Sequence, residues 1–295
     1  MSKKRVIRRK GVGTTKTYHG PGRRKRPGVV ISLLQKVPSW GWWIGAGAIV
    51  LVYIWFFYYF FVGPFGFRWR ALYGTVNYPE GYEIHGIDIS HHQGRIDWGE
   101  LKDNGSINKC PIRFVMIKAT EGGTLIDENF RDNFYQAREN GFTRGVYHFY
   151  SVHSPAEQQA WHFINTVKLE NGDLPPVLDV EPTNAQITQS GGVERMFREI
   201  RIWLKAVERH TGVKPILYVN QMFVNNHLSK QADLKRDYRV WIARYSEYKP
   251  DVRLTYWQLC PDGRVAGIQG DVDINVFNGY KSQFDTFIQE ETIKR

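Results

Sequence analysis

The 295-residue sequence predicts an α/β architecture, an incomplete βα barrel of TIM-like type carried behind a single transmembrane helix. Three observations lead there. Beyond about residue 83, short β-branched or aromatic runs alternate with segments of helical period. Between Lys36 and Arg68 there is no charged residue. Twelve of the 40 Lys and Arg fall within residues 1–36, which hold no Asp or Glu. The net charge of +11 therefore describes a basic tail, and the remainder, with 28 basic against 29 acidic residues, is nearly neutral.

The uncharged window accounts for the helix. From Ile44 to Val62 the chain is apolar on every side, which argues against a core helix with one buried stripe. About 20 such residues at roughly 1.5 Å each span the ~30 Å hydrocarbon core. Trp40, Trp42 and Trp43 at one end, and Tyr58, Tyr59 and Trp69 towards the other, suit the two interfaces. A cleaved signal peptide would have a shorter apolar core and small residues after it, whereas Val62-Gly-Pro-Phe-Gly-Phe67 follows here. Twelve positive charges before the span, against Arg68 and Arg70 after it, place the N-terminus in the cytoplasm. The expected layout is a basic cytoplasmic tail (1–36), a single-pass anchor in the inner (cytoplasmic) membrane (37–67) and a linker (68–82). An extracytoplasmic, periplasmic barrel (83–295) follows. Lys3-Lys-Arg5 and Arg23-Arg-Lys-Arg26 lie beside a span and lack interleaved aromatics. They fit anionic lipid and topogenesis, and no nucleic-acid partner is expected.

Eight strand-like runs follow in order: His85–Ser90, Arg113–Ala119, Arg144–Tyr150, Pro176–Glu181, Lys214–Val219, Arg239–Ala243, Leu254–Leu259 and Asp271–Asn275. Helical segments lie between the early ones: Asp97–Asn104, Asp127–Asn140 behind an Asp cap, a helix opened by the box Ser154-Pro-Ala-Glu157 and running to about Leu169, Val193–His210 before Gly212, and Gln221–Leu228. Strand followed by helix, five times over, predicts parallel right-handed βαβ units. The last three strands have only loops between them. With eight strands and five helices, and no Gly-rich nucleotide fingerprint, a barrel fits better than an open sheet. Cys110 and Cys260 are too few for a disulfide framework, fall at opposite ends of such a barrel and are expected to stay unpaired.

Polar groups recur near the carboxyl ends of these strands, where barrel enzymes keep their chemistry. In Pro176-Val-Leu-Asp-Val-Glu181, residues two apart on a strand share a face, so Asp179 and Glu181 project together. Pro182 cannot continue the ladder. Two carboxylates in one pocket push their pKa values apart, as an acid and its partner require. Asp88 sits in an apolar stretch where a lone acid would be costly. Asp271 and Asp273 flank Val272, Lys118 ends Phe114-Val-Met-Ile-Lys118, and His148 lies in Gly145-Val-Tyr-His-Phe-Tyr150. Tyr218, Trp241, Tyr245, Tyr256 and Trp257 are core or rim aromatics by default, yet beside an acidic pocket they suit the apolar faces of sugar rings. His91-His92 would point apart on an extended chain, no Cys cluster supports them, and no metal is expected. No Ser/His/Asp set can be assembled.

Together, Gly86-Ile-Asp-Ile-Ser-His-His-Gln-Gly-Arg-Ile-Asp-Trp98, Phe114-Val-Met-Ile-Lys-Ala-Thr-Glu-Gly122, Gly145–Tyr150 and Pro176–Glu181 resemble the lysozymes of glycoside hydrolase family 25. So do Pro215-Ile-Leu-Tyr-Val-Asn220, Trp241-Ile-Ala-Arg-Tyr245, Tyr256-Trp-Gln258 and Val272-Asp-Ile-Asn-Val-Phe277. The resemblance covers about residues 84–280 and excludes tail and anchor. It implies a (β/α)5β3 barrel that cleaves the β-1,4 bond between N-acetylmuramic acid and N-acetylglucosamine in the glycan strands of peptidoglycan, without a cofactor. It further implies that Glu181 is the general acid, that Asp179 assists at the reacting centre, and that Asp88 and Asp273 complete the acidic set. Lys118, His148, Tyr218 and Trp257 follow as substrate contacts. A non-catalytic peptidoglycan-binding protein, or a hydrolase of another N-acetylated polysaccharide, are the alternatives.

Overall fold

The computed structural model describes residues 38–57, 83–107, 109–243 and 252–294. The chain divides into two units, Met1–Phe61 and Val62–Arg295. In the first, helix α1 (Ser39–Phe57) has no acidic residue in its first turn and no basic residue in its last. Its side chains from Ile49 to Trp55 are exposed. Among the described residues no helix is long and apolar enough to cross a membrane. The basic tail 1–36, residues 58–67 of the expected anchor and the linker 68–82 lie outside the described residues.

In the second unit, eight strands close a barrel. They are β1 (His85–Ile89), β3 (Cys110–Glu121), β5 (Thr143–Phe149), β6 (Val177–Asp179), β7 (Ile216–Asn220), β8 (Arg239–Ala243), β9 (Arg253–Gly263) and β10 (Val272–Phe277). Every neighbouring pair from β1 through β3, β5, β6, β7 and β8 to β9 is parallel. Only β10 runs the other way, antiparallel to both β9 and β1. This reversal brings the start of β10 to the same end as the carboxyl ends of the others. Two short strands are appended to β3: β2 (Ser106–Ile107) at its beginning and β4 (Leu125–Ile126) at its end.

Strand period sorts the core into two layers. Inward go Phe114, Met116, Val177, Ile216, Tyr218, Trp241 and Tyr256. Outward go Val115, Ile117, Val146, Leu178, Leu217 and Ile242, against the surrounding helices. Gly86 is required by the inner layer, since a Cβ there would lie 2.3 Å from the Phe114 ring. The outer helices are α2 (Trp98–Asn104), α3 (Phe130–Glu139), α4 (Ala156–Thr166), α5 (Asn184–Gln189) and α6 (Val193–Thr211). The longest, α6, buries Met196, Phe197, Ile200, Trp203, Leu204 and Val207, one stripe at the helical period. It stops at Gly212 in the left-handed region, φ 78°, where glycine carries no steric penalty.

Several local expectations give way to tertiary contacts. The Ser154–Glu157 box does not form: α4 starts after Pro155 with no side-chain cap, and the Ala156 N–H donates to Glu199 on α6 at 2.9 Å. Asp127 does not cap α3, which opens after Asn129. Its buried carboxylate accepts from the backbone and ring of His91 at 2.9 and 2.8 Å on Oδ2, and from the Asn129 N–H at 3.1 Å on Oδ1. Between β7 and β8 the helix expected over Gln221–Leu228 forms as α7 (Gln221–Asn226), followed by a 3-10 turn and by α8 (Ala232–Asp237), which the sequence reading does not include. An unexpected α9 (Lys281–Glu291) inserts Phe284 and Phe287 among Phe114, Tyr256 and Phe277, filling the barrel's amino-terminal end. The region joining β8 to β9, with Tyr245, lies outside the described residues, while 264–271 before β10 contains no helix. Both cysteines are free, as expected.

Candidate active site

The four acids singled out in the sequence share one cleft of about 340 Å³ at the strands' carboxyl ends. Asp88 near the end of β1 stands directly across from Asp273 near the start of β10. Asp179 is the last residue of β6, between Phe149 of β5 and Tyr218 of β7. The strand stops two residues earlier than expected. The Val180 N–H still donates to Tyr218 O at 2.9 Å, so Glu181 remains on the cleft side just past the ladder.

Lys118 and Tyr218 also line the cleft. The Lys118 ammonium donates to Glu121 at 2.7 Å and lies 5.0 Å from the Phe149 ring centroid. Asp88 accepts from Asn275 Nδ2 at 2.7 Å and Gln258 Nε2 at 3.0 Å. Asp179 Oδ1 is buried with no hydrogen-bond partner among the described residues, an atom open to a proton or an incoming donor.

Two expected contacts are not in the cleft. On β5, Tyr147 and Phe149 point inward and line it, so His148 between them points outward. There it is fully buried, with Thr120 Oγ1 at 2.7 Å, Gln159 Oε1 at 3.0 Å and Trp203 stacked at 5.5 Å. Burial drives its pKa down to about 3, so the ring is neutral. Replacing His148 by Ala is therefore expected to cost about 2–4 kcal/mol of stability, through lost packing and orphaned partners, while KM changes little. Denaturant titration beside steady-state kinetics checks this; a large rise in KM at unchanged stability would return His148 to the substrate. Trp257 fails for the same reason. Its neighbours Tyr256 and Gln258 face inward, and Trp257 packs in the outer layer.

Among the other residues that line the cleft, the sequence does not single out Tyr147, Phe149, Gln258 and His92 as contacts, and it makes Trp241 a core or rim aromatic by default. The histidine pair is not extended. After Ser90 the chain enters a 3-10 turn, His91–Gln93, where the two rings lie 3.9 Å apart. His91 is tied to Asp127 and His92 faces the cleft. Among the described residues no group of three or more His, Cys, Asp or Glu is arranged to hold a metal ion.

Burial in the cleft raises the pKa values of all four carboxyls, and for Asp179, Glu181 and Asp273 neighbouring negative charge adds to it. For Asp88, burial dominates and lifts it to about 6, while its two amide donors pull the other way. For Asp179 it is burial, then the charges of Glu181 and Asp88. For Asp273 it is burial, then Asp88 and Glu181. Glu181 is the most accessible of the four, with exposed side-chain surface. Protein packed around its carboxyl and the charge of Asp88 still hold it above the ordinary range. A proton-bearing carboxyl facing an ionised one across a polar cleft can protonate an oxygen and stabilise developing positive charge.

The chain is similar to known proteins. The model of glycosyl hydrolases family 25 matches residues 87–268. The protein YegX of Escherichia coli K12 is 39% identical over 220 residues, covering 72% of this chain and 76% of YegX. Lysozyme M1 of Streptomyces globisporus is 31% identical over 218 residues, covering 70% and 71% respectively. A family 25 glycosyl hydrolase from Bacillus anthracis superposes with a TM-score of 0.61 at 31% identity, over 71% of this chain and 95% of that one. With a matching family model over most of the barrel, a mixed α/β barrel in common and acids gathered at its mouth, the chain belongs to glycosyl hydrolase family 25 and is an enzyme that hydrolyses glycosidic bonds.

Proposed function

We propose that the barrel is a muramidase that hydrolyses the β-1,4 bond between N-acetylmuramic acid and N-acetylglucosamine in peptidoglycan. The observation that carries this is the convergence of Asp88, Asp179, Glu181 and Asp273 on one cleft. Glycoside hydrolysis needs a proton for the leaving oxygen and negative charge near the anomeric carbon. Glu181, accessible and held above the ordinary carboxylate range, is the proton donor. Asp88 supplies negative charge, and Asp179, whose buried Oδ1 has no partner among the described residues, orients the group being attacked. Tyr218 and Trp241, buried with their rings edge to face at 4.6 Å, form part of the cleft floor beneath the acids. The relative named Lysozyme M1 supports this substrate class. Incubating the full-length protein with purified sacculi and measuring new reducing ends tests it. Release of muropeptides ending in reducing N-acetylmuramic acid is expected. Binding without release would make this a wall-binding protein, and release from chitin oligomers alone would move the substrate.

The same protein is proposed to be tethered to the inner membrane, with its barrel outside the cytoplasm. Consecutive exposed apolar side chains from Ile49 to Trp55 cover every face of α1, an arrangement that water disfavours and lipid accommodates. In the sequence the uncharged apolar run continues through Tyr58-Tyr-Phe-Phe-Val62, long enough in all to span a hydrocarbon core. A reporter active only in the periplasm, fused after Arg295, should give signal; a silent fusion at normal expression would reverse the orientation.

A further inference from the structure

Beneath the acids lies a set of four uncharged side chains. Asn275 and Gln258 both donate to the same oxygen of Asp88, Oδ2, at 2.7 and 3.0 Å. Behind each amide stands an aromatic donor. Trp241 Nε1 donates to Asn275 Oδ1 at 2.8 Å, and the Tyr218 hydroxyl donates to Gln258 Oε1 at 2.8 Å. All four side chains are buried, Asn275 completely.

The chemistry of the donors settles which way the amides point. An indole N–H can only donate, so it must meet the carbonyl oxygen of Asn275, and the NH2 group is left facing Asp88. A tyrosine hydroxyl can donate or accept, so Gln258 is oriented by Asp88: its NH2 group faces the carboxylate, and its Oε1 is left to accept from Tyr218. An amide turned the other way would present an oxygen to a carboxylate, and its nitrogen to an indole that cannot accept. Two N–H donors on one oxygen favour the ionised carboxylate. The other groups around the cleft do not favour it. Asp273 faces Asp88 from β10, Asp179 and Glu181 from the end of β6, and the neutral Tyr147 phenol from β5. From β3 comes Lys118, already engaged by Glu121, and from the 3-10 turn His92, beside His91 with its partner Asp127.

We infer that Asn275 and Gln258, locked in orientation by Trp241 and Tyr218, are positioning residues that hold Asp88 as the ionised carboxylate of the cleft, against which Glu181 keeps its proton. This rests on the muramidase reading only for its kinetic readout. The charge of Asp88 raises Glu181, Asp179 and Asp273 alike, so the amides act on all three through it.

The test compares full-length wild type with Trp241→Phe and Tyr218→Phe, each of which deletes one donor while keeping a ring, and with the double variant, which deletes both. Carboxyl carbons are followed by NMR through a pH titration, which needs no turnover. Losing a donor should raise the Asp88 midpoint and lower that of Glu181, by about 0.5 to 1 pH unit each, with a larger effect in the double variant. The basic limb of kcat/KM should move to lower pH by a similar amount. Thermal unfolding identifies any variant that fails to fold, and the remaining single variant then carries the test. Midpoints that stay put, or move in the same direction, overturn the inference whether or not the enzyme acts on peptidoglycan. Opposite movement with no activity on sacculi would uphold it and count against the substrate instead.

Discussion

Glu181→Gln is expected to lower kcat on purified peptidoglycan by about 10²–10⁴-fold, the usual contribution of a positioned general acid. Gln keeps the size of the side chain and its place beside the cleft but has no proton to give at neutral pH. Proton donation matters only as the glycosidic bond breaks, so kcat and kcat/KM should fall together while substrate affinity is retained. A muramyl substrate with a leaving group that departs without protonation, such as a dinitrophenolate, should recover most of the lost rate. In wild type, kcat/KM should decline as pH rises through the raised pKa of Glu181, because the proton-bearing form disappears. In Glu181→Gln that limb should be absent. Full loss of activity on both leaving groups would show that Glu181 does something other than donate a proton.

That Glu181 could be singled out reflects how strand geometry is written in sequence. Apolar β-branched runs, a two-residue period and Pro182 locate a strand end with its two acids, and the observed cleft holds both. All eight barrel strands are legible for the same reason, as are α2 and the long amphipathic α6. Parity within a strand was harder. In Gly145–Tyr150 the polar ring of His148 looks like the cleft residue and Tyr147 and Phe149 like core. The reverse holds because Thr120 and Gln159, distant in sequence, give His148 buried partners. Trp257 was misplaced by the same ambiguity between alternate aromatics. Local signals also lost to distant ones at Ser154, where Glu199 from α6 takes over the helix end, and in part at Asp127, whose carboxylate is shared between His91 and the Asn129 N–H ahead of α3. Helix α9 begins at Tyr280, not at a usual capping residue, and its apolar stripe is short. Its role in filling the barrel depends on the aromatic cluster it enters. The amides on Asp88 had no local signature, since Asn275 and Gln258 acquire meaning only once β9, β10 and β1 lie side by side.

Asp88→Asn should make the protein more stable at pH 8 and far less active. The sign follows from the direction of the shift. Asp88 titrates near 3.8 when unfolded and at about 6 in the folded barrel, so between those values the folded state binds more protons. Stability is then fully present below the unfolded pKa and is lost as pH rises through about 6. A displacement of this size corresponds to roughly 3 kcal/mol, the cost at neutral pH of keeping a buried Asp88 ionised. Asn removes that cost and can still accept from Asn275 and Gln258 through its carbonyl oxygen. It also removes the charge that raises Asp179, Glu181 and Asp273. Denaturant unfolding should therefore favour Asp88→Asn by up to about 3 kcal/mol at pH 8, with the advantage shrinking towards zero at pH 4. Activity should drop by about 10²-fold or more, as when a preorganised electrostatic group is deleted from an active site. Glu181, no longer facing a fixed negative charge, should release its proton at lower pH, which narrows the remaining activity from the basic side. An equal stability gain at both pH values would mean that packing, not charge, is responsible. A loss of stability at pH 8 would mean that the amide donors need an anion to bind. The expected pattern, stability gained where activity is lost, is that of a charge kept in an unfavourable place because the reaction uses it there.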